Sequence, residues 1–168
     1  MSKFLTRAGA AAALALTSAP AFAVSPATQA TASAKIFKPL TISFVQNLDF
    51  GTIVLSGAGS WSGQVVSMSQ AGAVTCGSGN VTCSGSPQPA KYHLVGTNNA
   101  VVTISSPGFN LTGPGTLAFT PNAPATVNLG ATGATTGVDF AIGGSITLAS
   151  TTADGVYSGT FAVTADYQ

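Results

Sequence analysis

The sequence is poor in charge. It has no glutamate, its only arginine is Arg7, and its 168 residues include five basic and four acidic side chains. Proteins that bind nucleic acids neutralise backbone phosphates with clustered lysine and arginine, and binding to anionic lipid depends on similar clusters. This chain has no such cluster, so nucleic acids and anionic membrane surfaces are excluded as expected partners.

Residues for acid–base catalysis are also few. His93 is the only imidazole, and the stretch Lys91–Val95 around it alternates as a half-buried strand does, which predicts a surface or rim position for His93. The carboxylates are scattered, with no pattern that supports an acid–base pair. They are Asp49, Asp139, Asp154 and Asp166. We predict no catalytic residues and expect that the protein is not an enzyme.

Motifs for metals and cofactors are missing as well. The two cysteines do not form a Cys-x-x-Cys pair, and no run of closely spaced Asp or Asn residues is typical of a calcium site. Asp49-Phe50-Gly51 copies a metal-binding triplet of kinases, but the glycine-rich loop and the catalytic loop that accompany it there are absent. We therefore expect no metal site and no cofactor.

Residues 1–23 have the organisation of a secretory signal peptide. Lys3 and Arg7 precede an apolar run from Ala8 to Leu16, and Ala21-Phe22-Ala23 provides a small-residue cleavage site. The apolar run is much shorter than the roughly 20 residues of a membrane-spanning helix. We predict cleavage after this site and a mature chain without a membrane span.

The mature chain would be nearly neutral and of single-domain size. Its about 145 residues suit one hydrophobic core. It would keep three lysines and four aspartates, a net charge of −1. Ser, Thr, Asn and Gly must then form most of the polar surface. Because such a surface has little charge repulsion, the composition favours self-association.

The two cysteines flank a short turn sequence. Cys76 and Cys83 enclose Gly-Ser-Gly-Asn-Val-Thr, and glycine and asparagine favour a turn between two short strands. Export exposes thiols to an oxidising compartment, so we predict a disulfide between Cys76 and Cys83. A redox-active pair is the alternative, although no base or helix N-terminus is placed nearby to activate a thiol.

The remainder of the chain predicts many short strands separated by turn residues. No mature stretch keeps a helical period. The predicted strands are Pro39–Val45, Leu48–Leu55, Gly63–Ser69, Ala90–Gly96, Val101–Ser105, Thr116–Thr120, Thr126–Leu129, Val138–Ile142, Ser145–Ala149 and Val156–Tyr167. Their spacing is typical of an antiparallel β-sandwich or barrel, and we predict a single all-β domain over residues 36–168.

Both ends of the mature chain alternate between apolar and polar residues. At the C-terminus we predict one core face of the final strand. This face consists of Tyr157, Phe161, Val163 and Tyr167. We predict that residues 24–35 form a flexible N-terminal extension. Its later part alternates and is a candidate for addition to a sheet edge.

Trp61 is the only tryptophan, in a glycine-rich turn between Gly57 and Gly63. Aromatic rings stack on the apolar faces of sugars, so Trp61 is a candidate ligand contact. Packing at the core or its rim is the other interpretation.

Several blocks resemble a family of secreted bacterial domains of unknown function. The specific ones are Leu48-Asp-Phe-Gly-Thr-Ile-Val54 and Gly155-Val-Tyr-Ser-Gly-Thr-Phe-Ala-Val-Thr-Ala-Asp-Tyr167, supported by Pro39-Leu-Thr-Ile-Ser43 and Ile142-Gly-Gly-Ser-Ile-Thr-Leu148. These domains are similar to pilin-like subunits of the chaperone–usher and spore-coat-U type. The resemblance implies an immunoglobulin-like sandwich.

In the pilin relatives, the N-terminal extension of the next subunit supplies a missing strand. The donor strand that this resemblance implies here is Ala30, Ala32, Ala34 and Ile36. Three of the four are alanines. Burial of an alanine side chain contributes less than the roughly 1.5–3 kcal/mol that burial of a large apolar side chain contributes. This departure weakens the expected donor strand.

The resemblance and the composition together predict an exported, non-enzymatic structural or adhesive surface protein. It would assemble with copies of itself or other surface subunits by strand addition, with a periplasmic chaperone as a further candidate partner. The expected location is the periplasm, cell surface or medium of a Gram-negative bacterium. The alternative is a self-contained secreted binding module, with carbohydrate as the candidate ligand and Trp61 as its contact.

Overall fold

A computed structural model describes residues 27–57, 59–77 and 79–168. The predicted signal peptide lies outside the described residues. The chain divides into a unit that ends at Ala34 and a unit from Lys35 to Gln168. Residues 27–34 have exposed side chains and form neither helix nor strand.

Every regular element in the described part of the chain is a β-strand. The strands are β1 Thr41–Gln46, β2 Thr52–Leu55, β3 Gln64–Met68, β4 Val74–Thr75, β5 Val81–Ser84, β6 Ala90–Val95, β7 Val101–Ser105, β8 Phe109–Thr112, β9 Thr116–Asn122, β10 Thr126–Asn128, β11 Val138–Leu148 and β12 Thr164–Tyr167. All pairings between them are antiparallel. The predicted all-β antiparallel fold class is therefore confirmed. Among the same residues, no helix has the length and apolar character to cross a membrane.

The largest sheet is organised around β11. It runs β1-β6-β11-β3-β4, and β8 joins through β9, which also pairs with β11. The first half of β11, Val138–Ile142, pairs with β6. The second half pairs with β9 and β3. The other sheets are β10-β7-β12 and β2-β5.

Two hydrophobic clusters lie between this large sheet and the smaller ones, which makes the fold a sandwich. The first cluster joins β6 and the first half of β11 to β7 and β10; it consists of Ala90, Leu94, Ala100, Val102, Ile104, Val127, Leu129, Phe140 and Ile142. The second joins β3, β9 and the second half of β11 to Phe50 and β5; it consists of Phe50, Val66, Met68, Val81, Leu117, Phe119, Ile146 and Leu148. Each half of the large sheet is thus covered by a different small sheet.

The prediction of two strands in the region 138–149 is wrong, because β11 continues through Gly143 and Gly144. A side chain at Gly143 would collide with the Met68 carbonyl oxygen, and one at Gly144 with the ring of Phe119. The glycines here permit close approach of neighbouring groups within a strand, whereas the sequence suggested that they end one.

Other boundaries also differ from the predictions. Only Thr52–Leu55 of the predicted strand Leu48–Leu55 is regular, because Gly51 has a φ of 74° and Asp49 forms an isolated bridge with Gln88. β4 and β5 are the two short strands expected on either side of the turn between Cys76 and Cys83, whereas β8 is not among the predicted strands.

The final predicted strand, Val156–Tyr167, is correct only for Thr164–Tyr167. Its partner is β7, where Thr164 lies opposite Ser105. Beyond Ser105 comes Ser106 and then Pro107, which has no backbone N–H to donate. The regular pairing ends where its partner strand ends.

Candidate functional site

The free edge of β1 is the first candidate surface. Within the described residues β1 pairs only with β6, so its other side is open. Its six residues include no charged side chain. Phe44 and Val45 are 60% and 54% exposed, and the register shift between Phe44 and Gln46 explains why two adjacent apolar side chains both face solvent. An apolar edge of this kind is a template for another strand.

A ladder of three aromatic rings connects this edge to the core. Phe44 lies opposite Tyr92, and Tyr92 lies opposite Phe140 on the next strand. The ring centroids are 6.1 Å and 5.6 Å apart, respectively. Phe140 is buried, Tyr92 is half-buried and Phe44 is exposed. Burial raises the pKa of the Tyr92 hydroxyl above its usual value. The apolar face of the sandwich therefore extends to the edge of the sheet.

Tyr167 ties the C-terminal strand to the segment that precedes β1. Its hydroxyl donates to the Lys38 carbonyl at 2.8 Å and accepts from the Thr97 N–H at 2.7 Å. Its ring stacks on Phe37, with centroids 4.3 Å apart and planes within 9° of parallel. Because Phe37 and Lys38 directly precede Pro39, these contacts hold the chain in place just before β1 begins.

The four residues predicted as the core face of the C-terminal strand are all half-buried. Val163 and Tyr167 pack against the first cluster, and Tyr157 packs against the second. Phe161 stacks on Phe109, with ring centroids 5.6 Å apart. Only Tyr167 among the four belongs to a strand, so packing holds the other three without a regular ladder.

The N-terminal segment offers exposed main chain. Ala30, Ala32 and Ala34 are exposed and lie in no strand. In the larger unit, Ile36 is 88% exposed and also lies outside the strands. The structure thus does not assemble these four residues into a sheet of the same chain, and their role as a donor strand stays a prediction.

The predicted disulfide is present. Cys76 and Cys83 are bonded, with their Cα atoms 5.9 Å apart. Cys76 follows β4, at the edge of the large sheet, and Cys83 lies in β5, in the two-stranded sheet. The bond therefore connects the two layers around the second cluster. For a loop this short, the chain-entropy model gives a stabilisation of about 2–3 kcal/mol.

Trp61 lies at the rim of the second cluster. Its ring is half-buried against that cluster, and its indole N–H donates to the Ser56 carbonyl at 3.3 Å. Its backbone is held by Ser150, whose N–H donates to the Trp61 carbonyl at 2.9 Å. These contacts favour the packing interpretation, and the ligand role of Trp61 stays a prediction.

His93 forms a pair that the sequence did not reveal. Its Nδ1 lies 2.6 Å from Oδ1 of Asp139, directly opposite on β11. The two residues are 46 positions apart, and only the strand register brings them together. Ser43 occupies the other side of His93, but no hydrogen bond between described residues joins Ser43 to His93. Ser43, His93 and Asp139 are therefore the residue types of a hydrolase triad, but the hydrogen bond from serine to histidine that a triad needs is missing.

The fold can be compared with known proteins. A family described as "Domain of unknown function (DUF4402)" matches residues 40–167. The match starts one residue before β1 and ends at the last residue of β12, so it includes all the strands described above. No curated protein and no solved structure matches the chain.

Proposed function

We propose that this chain, which belongs to the DUF4402 family of domains of unknown function, is an exported, non-enzymatic surface protein with a structural or adhesive role. It assembles in a pilin-like manner by strand addition. The observation that carries this proposal is the open edge of β1, which is uncharged and exposes Phe44 and Val45. Strand addition needs unpaired main-chain groups and an alternating apolar face, and the edge has both.

The N-terminal region and the disulfide support export and assembly. The predicted signal peptide directs the chain out of the cytoplasm, and a disulfide suits an oxidising compartment. The exposed residues 27–36 form no strand, so their main chain is free to pair with a sheet edge of another copy. A periplasmic chaperone would cover such an edge before assembly.

The poverty of catalytic side chains supports a non-enzymatic role. The sequence has one imidazole and four scattered carboxylates. The imidazole is already held by Asp139 on the outer face of the sheet. A binding surface does not need imidazole or carboxylate groups, whereas acid–base catalysis depends on them.

The assembly proposal is tested by removing the candidate donor. The mature chain from residue 24 and a version without residues 24–36 are compared by sedimentation velocity over a wide range of concentration. We expect concentration-dependent oligomers for the first and much weaker association for the second. Ile36→Asp should reproduce most of the loss, because it places a charge on the apolar side of the segment.

Ser33→Asp is the matched control, since it adds the same charge on the polar side of the alternation and should leave association unchanged. Strand donation is wrong if the shortened chain assembles as well as the full one. A full-length chain that stays monomeric at every concentration would contradict assembly altogether.

A secreted carbohydrate-binding module is the second candidate, and a row of hydroxyls favours it. On the outer face of the large sheet, four hydroxyl side chains lie opposite one another on adjacent strands. They are Thr75, Ser67, Ser145 and Thr120. They line a groove of about 410 Å³ that has no charged residue in its lining. Hydroxyls both donate and accept hydrogen bonds, as neutral sugars do.

This second candidate predicts binding to a soluble polysaccharide in affinity gel electrophoresis. Thr120→Val should reduce the retardation, whereas Thr147→Val, on the same face of the neighbouring strand, should not. If Trp61→Ala abolishes binding and Thr120→Val has no effect, the ligand contacts Trp61 and the groove assignment is wrong.

A further inference from the structure

We propose that β1 pairs with β1 of a second copy of this chain, antiparallel and around a two-fold axis at Ser43. The inference rests on the proposed assembly function and identifies one interface for it. It differs from donation of the N-terminal segment, because the contact is the same surface on both copies. Its product is a continuous sheet in which the two copies of β1 are the central strands.

β1 is the edge best suited to this pairing. It has six residues, whereas the outer strands β4, β8, β10 and β12 have between two and four. β12 also presents the charged Asp166, and β1 has no charged residue. Natural edge strands are commonly protected by charge, by proline or by being very short. Among these five strands, β1 lacks all three protections along its paired length, and its one bulge lies towards its end, near Val45.

The charges that flank β1 select a second, antiparallel copy as its partner. Lys38 lies shortly before the strand and Asp49 shortly after it. In an antiparallel pair, the start of each strand meets the end of the other, so Lys38 of one copy approaches Asp49 of the second. A parallel pair would bring like charges to the same end. Opposite charges in this arrangement favour the antiparallel encounter and make it sensitive to salt.

The side chains select the register. A two-fold axis at Ser43 places Ile42 of one copy opposite Phe44 of the second, and the reverse. Both residues lie on the face that continues into the core, where Ile42 packs against the first cluster. An axis at Phe44 would instead place Ile42 opposite the amide of Gln46 and leave a single apolar pair, Phe44 with Phe44, in place of the two pairs of Ile42 with Phe44. Pairs of aromatic and β-branched side chains are the more stabilising combination across strands.

The bulge near Val45 limits the regular pairing to a few residues. A contact of this size buries much less than a permanent dimer interface does. We therefore expect a dimer that forms and dissociates with concentration. Assembly on a surface, where local concentration is high, strengthens such weak contacts through multivalency.

The first test compares lysine substitutions at equally exposed apolar positions. Phe44→Lys and Val45→Lys are placed on the β1 edge, and Val54→Lys is the control, since Val54 is 55% exposed but lies in β2. Sedimentation velocity of the mature chain measures the dissociation constant, and thermal melting shows that each variant is folded. We expect the two edge variants to weaken association at least tenfold and the control to leave it unchanged.

The second test determines the register between the two copies of β1 by disulfide cross-linking. Ser43→Cys places two thiols opposite each other at the proposed axis, and mild oxidation should give a covalent dimer. Thr41→Cys is the control: the proposed register places it opposite Val45, so its thiols should remain apart. Efficient cross-linking of Thr41→Cys without cross-linking of Ser43→Cys would overturn the register.

The outcomes separate this interface from the assembly function as a whole. If the wild-type chain associates and the edge lysines have no effect, the β1 interface is wrong and assembly stands. If deleting residues 24–36 abolishes association while the edge lysines do not, the N-terminal segment is the connecting strand. A wild-type chain that never associates overturns both proposals.

Discussion

β1 and the C-terminal stretch Val156–Tyr167 have similar alternating sequences but different structures. β1 is a strand over all six of its residues, Thr41–Gln46, with one bulge near Val45. In the C-terminal stretch only the last four residues, Thr164–Tyr167, form a ladder. Even so, half-buried and exposed residues continue to alternate from Thr160 to Gln168. The period of two therefore predicts which side chains face the core more reliably than it predicts backbone pairing.

The difference comes from the partner strands. β6 extends along β1 from Lys91 to Val95 and pairs with it along its length, apart from the bulge near Val45. β7 ends at Ser105, close to Pro107, so the β7 ladder cannot continue before Thr164. In the described stretch upstream, only Ser158 forms an isolated bridge, with Thr112 of β8. Aromatic packing takes the place of the ladder there, since Phe161 contacts the rings of Phe109 and Phe119. β1 is thus well paired on one side and open on the other, whereas most of the C-terminal stretch is held by side-chain packing.

The largest expected effect comes from removing the paired part of the C-terminal region. Truncation after Val163 removes the β12 ladder and the burial of Ala165 and Tyr167. We expect a loss of roughly 4 kcal/mol in the free energy of unfolding, from hydrogen bonds and apolar burial together. Urea unfolding of the monomer measures it. Deleting residues 24–34 is the control and should change stability little; a truncated domain of normal stability would contradict the role of β12.

Alanine substitution at one phenylalanine in each region tests the contrast directly. Phe161→Ala removes a half-buried ring from the cluster with Phe109 and Phe119, and we expect a loss of about 2–3 kcal/mol. Phe44→Ala, in the better-formed strand, should cost less than about 1 kcal/mol because the ring is mostly exposed. Urea midpoints of the two variants give the comparison. If Phe44→Ala proves the more damaging, regular pairing matters more than ring burial.

The hydroxyl of Tyr167 tests the link between the two regions. Tyr167→Phe leaves the Thr97 N–H and the Lys38 carbonyl without this partner, and we expect a loss of about 1–2 kcal/mol. Tyr157→Phe is the matched control, since the Tyr157 hydroxyl makes one exposed bond, to the Ala153 carbonyl. Tyr157→Phe should lose less stability than Tyr167→Phe. Equal effects in thermal melting would show that Tyr167 does not join the start of β1 to β12.

The smallest expected effect is confined to alkaline pH. Burial raises the pKa of Tyr92 in the folded protein, so the unfolded chain loses this proton at a lower pH than the folded one. Stability is therefore fully present below the unfolded value of about 10 and falls as pH rises through the folded value. Tyr92→Phe should have a flatter profile of urea midpoint above pH 10. Parallel profiles for wild type and variant would contradict this effect.

The sequence predicted most of the strands and the disulfide, because these depend on local patterns. Alternation identifies β7 at its observed bounds, and the Cys-to-Cys turn identifies Cys76–Cys83. It did not predict the continuity of β11, since Gly143 and Gly144 resemble a break until their neighbours are known. The His93–Asp139 pair and the hydroxyl row were also out of reach, because each depends on which strands are adjacent.

By itself, the sequence determined the all-β class, the scarcity of charge and the faces of its strands, because composition and a period of two are properties of neighbouring residues. The tertiary structure alone decided which edges are open and which are covered. An edge is open when the fold places no other strand beside it, and that depends on residues far away in the chain. The exposure of Phe44 and the short ladder of β12 are both results of that placement.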